Sequence, residues 1–270
     1  MHYRVLENVN LNTNDIKYQA SSTCMYKDYI NGNVFLPIIS VSEPMIYEPL
    51  VLINHIQQDT EEATKSKLST YVDSFFSNPL LKKVEQASDG SMIYTEGQKT
   101  SVRYAAPGTL EFSITSATET DRLSKSEKMV MINNFIETTQ GIPNSIKQGL
   151  YLSNIIEEAT KGQTIYQFDY QYEGIDVYLT DAFKKQMGIN AMVELVIKNN
   201  KIVKGKWMLL DIEVDAESAQ TKGEMLKDFN TVISESYTGE KLSNLRCSYI
   251  LSDIDAPIGF DWLFEQTDNE

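Results

Sequence analysis

The residues with the clearest chemical capacity are three acids that alternate in the sequence, Asp211, Glu213 and Asp215. Because successive side chains of a strand point to opposite faces, all three carboxylates are predicted to project from one face. Carboxylate oxygens bind Ca²⁺, so the triplet is a candidate weak calcium site. Read as an EF-hand loop, however, the segment has Ala216 at the sixth position and Lys222 at the twelfth, and the motif fails. An exposed acidic strand face is therefore the favoured interpretation.

Residues for nucleophilic catalysis are scarce. The chain has two histidines, His2 and His55, and a Ser/His/Asp or Cys/His mechanism must use one of them as its base. His55 stands among apolar neighbours in VLINHIQQD, which favours a structural histidine at the edge of the core. The segment GQKTS at 97–101 lacks the GxxxxGK[ST] spacing of a phosphate-binding loop. We therefore predict a protein that is not an enzyme and that carries no cofactor.

Charge and cysteine content exclude several classes of function. The 270 residues carry a formal net charge of −14, which argues against nucleic acid and anionic lipid as partners. From Trp207 to the end, 14 acidic residues stand against 4 basic ones, so most of the excess lies in the last quarter. The two cysteines, Cys24 and Cys247, form no CxxC pair. This excludes a structural zinc site by ligand count and favours two free buried thiols over a disulfide.

Hydropathy bears on the relation to the membrane. No run approaches the ~20 apolar residues of a membrane-spanning helix. The first segment, MHYRVLENVNLNTND, also lacks the apolar core of a signal peptide. The sequence is expected to be soluble, either as a whole or as the soluble part of a protein whose anchor lies outside it.

The clearest secondary structure lies between Tyr166 and Val214. In YQFDYQY, aromatic residues alternate with polar ones, which is the pattern of a half-buried strand. A second alternation, VELVI, leads to Asn199 and Asn200, and asparagine tolerates the positive φ that a two-residue hairpin turn needs. This stretch predicts three antiparallel strands, the last two joined as a tight hairpin.

Helices and further strands are predicted on both sides of this stretch. Capping-box spacing, followed by apolar residues at helical intervals, occurs at Asp59 with Glu62, Ser124 with Glu127, and Thr221 with Glu224. The spacing of four aliphatic residues predicts a shorter helix from Ser145 to Thr160. Short strands are predicted in SMIYTEG, TSVRYAA and TLEFSI, and two last strands at Leu245 to Leu251 and Phe260 to Phe264.

The order of these elements predicts an α+β fold with two domains, each an antiparallel β-sheet with helices packed on one face. The expected boundaries are an N-terminal extended segment at 1–60, a first α+β domain at 61–160 and a second at 161–270. Both halves contain three strands followed by a capped helix, which is a weak architectural repeat with little residue identity.

Three segments at about residues 160–270 share pattern and order with a known family. They are YQFDYQYEGIDVYL, the hairpin VELVIKNNKIVKGKWMLLDIEV and the closing segment GFDWLFE. In these features the chain resembles the YycH/YycI family, accessory proteins of an essential cell-wall-sensing histidine kinase in Gram-positive bacteria. The resemblance implies a non-catalytic extracytoplasmic domain, tethered to the membrane, that binds a sister accessory protein and the sensor kinase and sets kinase activity. The family's N-terminal transmembrane helix is missing from this sequence, and a cytoplasmic protein is expected if the resemblance is wrong.

The resemblance supplies no catalytic residues, because the family acts through protein contacts. We therefore expect the partner-binding surface at exposed aromatic and acidic positions, with Tyr170, Tyr172, Glu173 and Trp262 as candidates. The alternative is a cell-surface module of a Gram-positive bacterium that binds a small ligand or a glycan. Its signature would be a concave pocket lined by several tyrosines with few charges. A flat, exposed apolar patch would instead favour protein binding.

Overall fold

The computed structural model describes residues 26–27, 34–35, 47–57, 60–105, 107–115, 123–139, 142–215 and 242–266. Contacts divide the chain into two compact units. The first consists of residues 1–46, 225–246 and 262–270, and the second of residues 47–224 and 247–261. The second unit contains most of the described residues.

The described residues form fifteen β-strands and four α-helices. The strands are β1 (Tyr26–Lys27), β2 (Val34–Phe35), β3 (Leu50–Ile53), β4 (Lys83–Gln86), β5 (Met92–Glu96), β6 (Thr100–Ala105), β7 (Thr109–Ile114), β8 (Leu150–Glu158), β9 (Gln163–Tyr172), β10 (Ile175–Leu179), β11 (Val193–Lys198), β12 (Lys201–Met208), β13 (Asp211–Val214), β14 (Leu242–Leu251) and β15 (Gly259–Gln266). The helices are α1 (Glu61–Val72), α2 (Lys125–Thr138), α3 (Asn144–Gly149) and α4 (Asp181–Met187). The predicted α+β class is confirmed, and the strands predicted in SMIYTEG, TSVRYAA and TLEFSI are β5, β6 and β7.

One large sheet dominates the second unit. Its strand order is β4, β5, β6, β7, β12, β11, β9, β10, β14 and β15, and β8 pairs with β9 outside this path. The described pairings are antiparallel except that of β10 with β14, which run parallel. A separate two-stranded sheet joins β13 to β3. In the first unit, β1 and β2 form an antiparallel pair.

The stretch from Tyr166 to Val214 contains the hairpin that its alternation predicts. Strand β9 pairs antiparallel with β11, and β11 pairs antiparallel with β12. At the turn between β11 and β12, Asn199 and Asn200 have φ of 51° and 58°, the left-handed values that a two-residue hairpin turn requires. Strand β10 and helix α4 lie between β9 and β11 in the chain.

Strand β9 has partners on both of its edges. Tyr170 pairs with both β8 and β10, so these two strands lie on opposite edges of β9. Phe168 pairs with both β8 and β11, so β11 also lies opposite β8. Strands β10 and β11 therefore share one edge of β9, and β8 has the other edge to itself.

The core on one face of the sheet is built around Trp207 of β12, which is fully buried. Its ring lies 5.8 Å from those of Phe75 and Phe112 and 6.3 Å from that of Phe135, measured between ring centroids. Phe75 follows α1 in a short 3₁₀ turn, and Phe135 belongs to α2. These two helices therefore cover the same part of the sheet.

Helix α2 begins with the predicted capping box. The Ser124 hydroxyl accepts a hydrogen bond from the Glu127 amide at 3.3 Å, and the Glu127 carboxylate accepts one from the Ser124 amide at 2.8 Å. Two of the orphan donors at the helix start are thereby satisfied. Ile132 and Ile136 are buried on the face towards the sheet.

The other predicted capping boxes fall partly on residues outside the described ranges. Asp59 lies there, and the N-cap of α1 is its neighbour Thr60, whose hydroxyl accepts from the Ala63 amide at 3.2 Å. Thr221 and Glu224 also lie outside the described residues. Within the described ranges, no helix combines the length and hydropathy needed to cross a membrane.

The predicted helix from Ser145 to Thr160 is wrong. Helix α3 ends at Gly149, and the residues that follow form strand β8. A β-bulge at Ser153 interrupts the alternation of β8, because the register to β9 shifts between Leu152 and Asn154. The bulge takes the aliphatic residues that follow it out of the alternation of the strand. Their spacing in the sequence then resembles that of a helix, which is why the sequence predicts one.

The predicted division into two domains, each with its own sheet, is not confirmed. Strand β7 of the predicted first domain pairs with β12 of the predicted second domain, and the strands of residues 61–160 and 161–270 belong to one sheet. The predicted segment 1–60 contributes β3, which pairs with β13. Sequence patterns indicate hairpin neighbours, but these pairings join strands that are far apart in the chain.

Candidate functional site

The small sheet of β3 and β13 brings a histidine to two of the predicted acids. Asp211 pairs with Ile53 and Glu213 with Val51. The chain continues two residues past Ile53 to His55, which therefore lies beside the start of β13. Asp211 and Glu213 are two residues apart on one strand and share a face. We call the region defined by His55, Asp211 and Glu213 the His55 cleft.

The three side chains of the His55 cleft are close enough to act together. The Nε2 atom of His55 lies 2.9 Å from Oε1 of Glu213 and 3.5 Å from Oδ2 of Asp211. One ligand-type atom from each residue falls within 4.8 Å of the other two. The side chains of His55 and Glu213 are about half exposed, whereas that of Asp211 is largely buried. The cluster is therefore accessible to solutes.

The carboxylate of Asp211 is held in a fixed orientation. Its Oδ1 atom accepts hydrogen bonds from the Ser145 hydroxyl and, at 2.9 Å, from the Ile212 amide. Its Oδ2 atom faces His55. The negative charge of Asp211 also acts on the nearby Tyr170 side chain. Burial raises the pKa of the Tyr170 phenol, and the charge of Asp211 raises it further. Helix α3, which carries Ser145, thus positions this acid.

A cleft of about 390 Å³ opens beside the cluster. It is lined by His55, Ile56, Lys67, Tyr71, Ile142, Pro143, Asn144, Ser145, Leu209 and Asp211. Ile56, Ile142 and Leu209 are buried and form an apolar floor. The Lys67 ammonium group donates to the main-chain carbonyl of His55, which holds the segment after β3 against α1.

The predicted acidic triplet is brought together only in part. Asp211 and Glu213 join His55, but among the described residues Asp215 is not a member of the group. The Asp215 amide donates to the Pro49 carbonyl at 2.8 Å and so extends the pairing of β13 with β3. Sequence reasoning placed His55 at a core edge and missed its role in the cluster. No local signal could have found it, because the acids lie more than 150 residues away in the sequence.

Strand β8 forms an exposed edge of the large sheet. Among the strands that the structure describes, it pairs with β9 alone. Leu152, Ile155 and Ile156 are 37%, 48% and 38% exposed, although aliphatic side chains of this size usually lie in the core. The bulge at Ser153 places Leu152 and Ile155 opposite buried aromatic residues of β9. The apolar face of the core thus continues through Leu152 and Ile155 to the open edge, which we call the β8 edge.

The turn between β9 and β10 lies near the start of β8 and contains two of the predicted partner-binding residues. Glu173 and Gly174 have φ of 48° and 81°, as a tight hairpin requires. The Tyr172 hydroxyl donates to Glu48 at 2.7 Å. Burial, and then the Glu48 carboxylate, raise the pKa of Tyr172 far above its ordinary value. The hydrogen bond to Glu48 therefore fixes the Tyr172 side chain, and Glu173 lies beside it at the surface.

The other two predicted residues differ from the expectation of exposed positions. Tyr170 is buried and only 4% exposed. Its ring packs on Gly149, where an added Cβ would lie 2.4 Å from a ring carbon. Trp262, in the part of β15 that belongs to the first unit, is also buried. Neither side chain presents a broad surface to solvent.

A second hollow, of about 440 Å³, lies between the turn and the start of β8. It is lined by Ser145, Gln148, Gly149, Leu150, Tyr151, Tyr170, Gln171, Tyr172, Glu173 and Gly174. The lining contains three tyrosines and one charged residue, Glu173. Several tyrosines and few charges are the features expected above for a pocket that binds a small ligand or a glycan.

Comparison with known proteins identifies no family for this chain. No protein-family model matches the chain, and no curated protein matches it significantly. The chain is similar to a crystal structure of an uncharacterized protein from Eubacterium rectale, with 11% sequence identity and a TM-score of 0.49. The similarity covers 82% of this chain and 76% of that one.

Proposed function

We propose that this protein is a non-catalytic regulatory protein that acts by binding other proteins, and that the β8 edge is its main binding surface. The observation that carries the proposal is the exposure of Leu152, Ile155 and Ile156 on a nine-residue edge strand. The bound segment would be an extended stretch of the partner that adds a strand to the sheet beside β8.

The backbone of β8 supports this mode of binding. An edge strand presents N–H and C=O groups that can pair with another chain, and proteins commonly protect such edges with charges, proline or shortness. Strand β4, at the end of the sheet path, is four residues long and carries Lys83 and Glu85. Strand β8 is nine residues long, contains no proline and is uncharged from Leu150 to Ile156. It therefore lacks the shortness and the charges that protect β4, and over these residues its protection is limited to the bulge at Ser153.

Charge indicates which partner segments the edge accepts. Strand β8 ends in Glu157 and Glu158, and the whole chain carries a net charge of −14. An apolar segment flanked by lysine or arginine would complement this edge, whereas a second copy of this acidic chain would be repelled. The partner is thus expected to be a different protein with a locally basic strand.

The resemblance to the YycH/YycI family supplies the biological setting of the proposal. In that setting the partners are a sensor histidine kinase and a sister accessory protein, met at the extracytoplasmic face of the cell membrane. The protein would modulate the activity of the kinase through these contacts. The turn with Tyr172 and Glu173, close to the start of β8, would extend the contact surface.

Photo-cross-linking in cells tests the proposal. A benzophenone amino acid replaces Ile155, and the matched control replaces Val130, which is 59% exposed on α2. We expect cross-links to a membrane-bound sensor kinase or its accessory protein from position 155 and none from position 130. Recovery of the protein from the cytosol without a kinase would refute the family setting. Equal cross-linking from both positions would refute the β8 edge.

A second candidate function is the binding of a glycan or a small polar ligand. The tyrosine-lined hollow of about 440 Å³ favours it, because three tyrosines and one charge line the space. Titration with soluble cell-wall glycan fragments, followed by NMR, tests this candidate. Tyr151→Ala should abolish binding, whereas Tyr178→Ala in β10, outside the lining, should not. The absence of shifts around Tyr151 would exclude a glycan site in this hollow.

A further inference from the structure

We propose that His55, Asp211 and Glu213 bind one divalent transition-metal ion of the Zn²⁺ class. The site differs from the calcium site that the acidic triplet suggests, because a histidine nitrogen takes the place of Asp215. It also differs from the structural zinc site that the cysteine count excludes, because it has three protein ligands instead of four. It is also independent of the β8 edge, so failure of either proposal leaves the other standing.

The two separations measured from His55 fit a shared ion, and the Asp211 and Glu213 oxygens lie within 4.8 Å of each other. Zinc binds histidine nitrogen and carboxylate oxygen at about 2.0–2.2 Å, which places tetrahedral ligand atoms roughly 3.3–3.6 Å apart. The Nε2 atom of His55 lies 2.9 Å from the Glu213 oxygen and 3.5 Å from the Asp211 oxygen. Glu213 is half exposed, so its carboxylate can move the few tenths of an ångström that the ion requires.

The carboxylate of Asp211 is prepared for one metal bond. Its Oδ1 atom is engaged by the Ser145 hydroxyl and the Ile212 amide, which leaves Oδ2 directed towards His55. Removal of a group that hydrogen-bonds to a metal ligand, without binding the metal itself, typically changes metal affinity by about 10–100-fold. Ser145 is therefore a positioning residue in this proposal.

The donor set selects the class of ion. Calcium requires six to eight oxygen ligands. With Oδ1 of Asp211 engaged, these three residues offer one nitrogen and at most three oxygens. Such a mixed set of few ligands suits zinc and its neighbours among the transition metals. The Lys67 ammonium group, bonded to the His55 carbonyl, reduces the local negative charge and should keep the affinity moderate.

The ion would join β13 to the segment after β3. His55 lies two residues beyond the end of β3, whereas Asp211 and Glu213 belong to β13, so the ion would fix this segment to β13. Three protein ligands leave at least one coordination position, and the adjacent cleft of about 390 Å³ has room for water or a small anion there.

Metal titration of the full, untagged chain tests the proposal. With Zn²⁺ alone as the probe, calorimetry should show one bound ion with a dissociation constant on the order of 1 µM, weaker than closed four-ligand sites. Ca²⁺ should bind at least about 100-fold more weakly. X-ray absorption at the zinc edge should show nitrogen and oxygen ligands without sulfur, which distinguishes this site from Cys24 and Cys247.

Variants locate the site. His55→Gln and Glu213→Gln should each weaken zinc binding by at least about tenfold, and Ser145→Ala should also weaken it although no ligand is removed. Glu85→Gln changes an exposed acid of β4 and should leave binding unchanged. Before titration, the melting temperature of each metal-free variant is measured and should equal that of the metal-free parent chain. Glu213→Gln is the change least disruptive to folding, because the Glu213 side chain is half exposed. Zinc binding that survives both ligand changes, or calcium binding of equal strength, would overturn the proposal.

Discussion

Position 205 in β12 must be glycine, because the packed core leaves no room for a side chain there. A Cβ added there would lie 2.2 Å from a ring carbon of Phe112 and 2.9 Å from Leu195. We expect Gly205→Ala to lower the free energy of unfolding by about 1–3 kcal/mol, because the buried ring must shift in a close-packed core. Gly259→Ala is the control, since its nearest contacts would lie at 3.8 Å. Urea unfolding of both variants measures the difference, and equal stability would contradict the packing at Gly205.

Cys247 provides a second prediction at the scale of one residue. Burial, and then the charge of Asp261, raise the pKa of the Cys247 thiol to about 11. Because the thiolate is the reactive form, the thiol should resist alkylation near pH 8 in the folded protein and react at least about 100-fold faster in urea. The measurement uses a Cys24→Ser variant, so that only one thiol reports. Rapid reaction of the folded variant would show that Cys247 is accessible.

At the scale of the element, the capping box of α2 predicts a dependence on pH. Hydrogen bonds from Ser124 lower the pKa of Glu127 below its ordinary value of 4.5. The stabilisation by the carboxylate is therefore complete above about pH 4.5 and is lost as the pH falls through the lowered pKa. Glu127→Ala should destabilise the protein at neutral pH and match the parent chain in strong acid.

The control for this prediction lies in the same helix. Glu137 is near the C-terminus of α2, where a negative charge opposes the helix dipole. Glu137→Ala removes this unfavourable interaction together with the attraction between Glu137 and Lys147, so the free energy of unfolding should change little at neutral pH. Urea unfolding at neutral and acid pH compares the two variants. A Glu127→Ala effect that persists in strong acid would mean that packing, and not the charged cap, is responsible.

The helices, strands and turns show which structural predictions can be made from local sequence. The capping box at Ser124 and the turn at Asn199 are local signals, and both are confirmed because their geometry depends on neighbours in the chain. The region from Ser145 to Thr160 was misassigned, since the bulge at Ser153 hides the period of the strand. Tyr170 is a partner-binding candidate only through the family resemblance, and its burial agrees instead with the alternation, which places it among the aromatic residues of a half-buried strand.

The whole molecule depends on pairings that no local pattern contains. The partner of β7 is β12, and the partner of β3 is β13. The second pairing creates the His55 cleft, so Asp211 and Glu213 could be predicted from their alternation, whereas His55 could not. The same pairings explain why the division at residue 160 is not confirmed. Three antiparallel strands in each half suggest two sheets. In the structure, however, β7 of the first half pairs with β12 of the second half, so the strands form one sheet.

Fragments test this dependence at the scale of the whole molecule. Residues 161–270 alone would leave β12 without β7, and Trp207 without Phe75, Phe112 and Phe135 around it. We expect neither this fragment nor residues 61–160 to unfold cooperatively in urea, whereas the full chain does. The control is a flexible insertion after Lys161, in an exposed turn of the full chain, which costs little closure entropy and should preserve cooperative unfolding. A cooperative transition in the isolated 161–270 fragment would show that it is a domain with a sufficient core of its own.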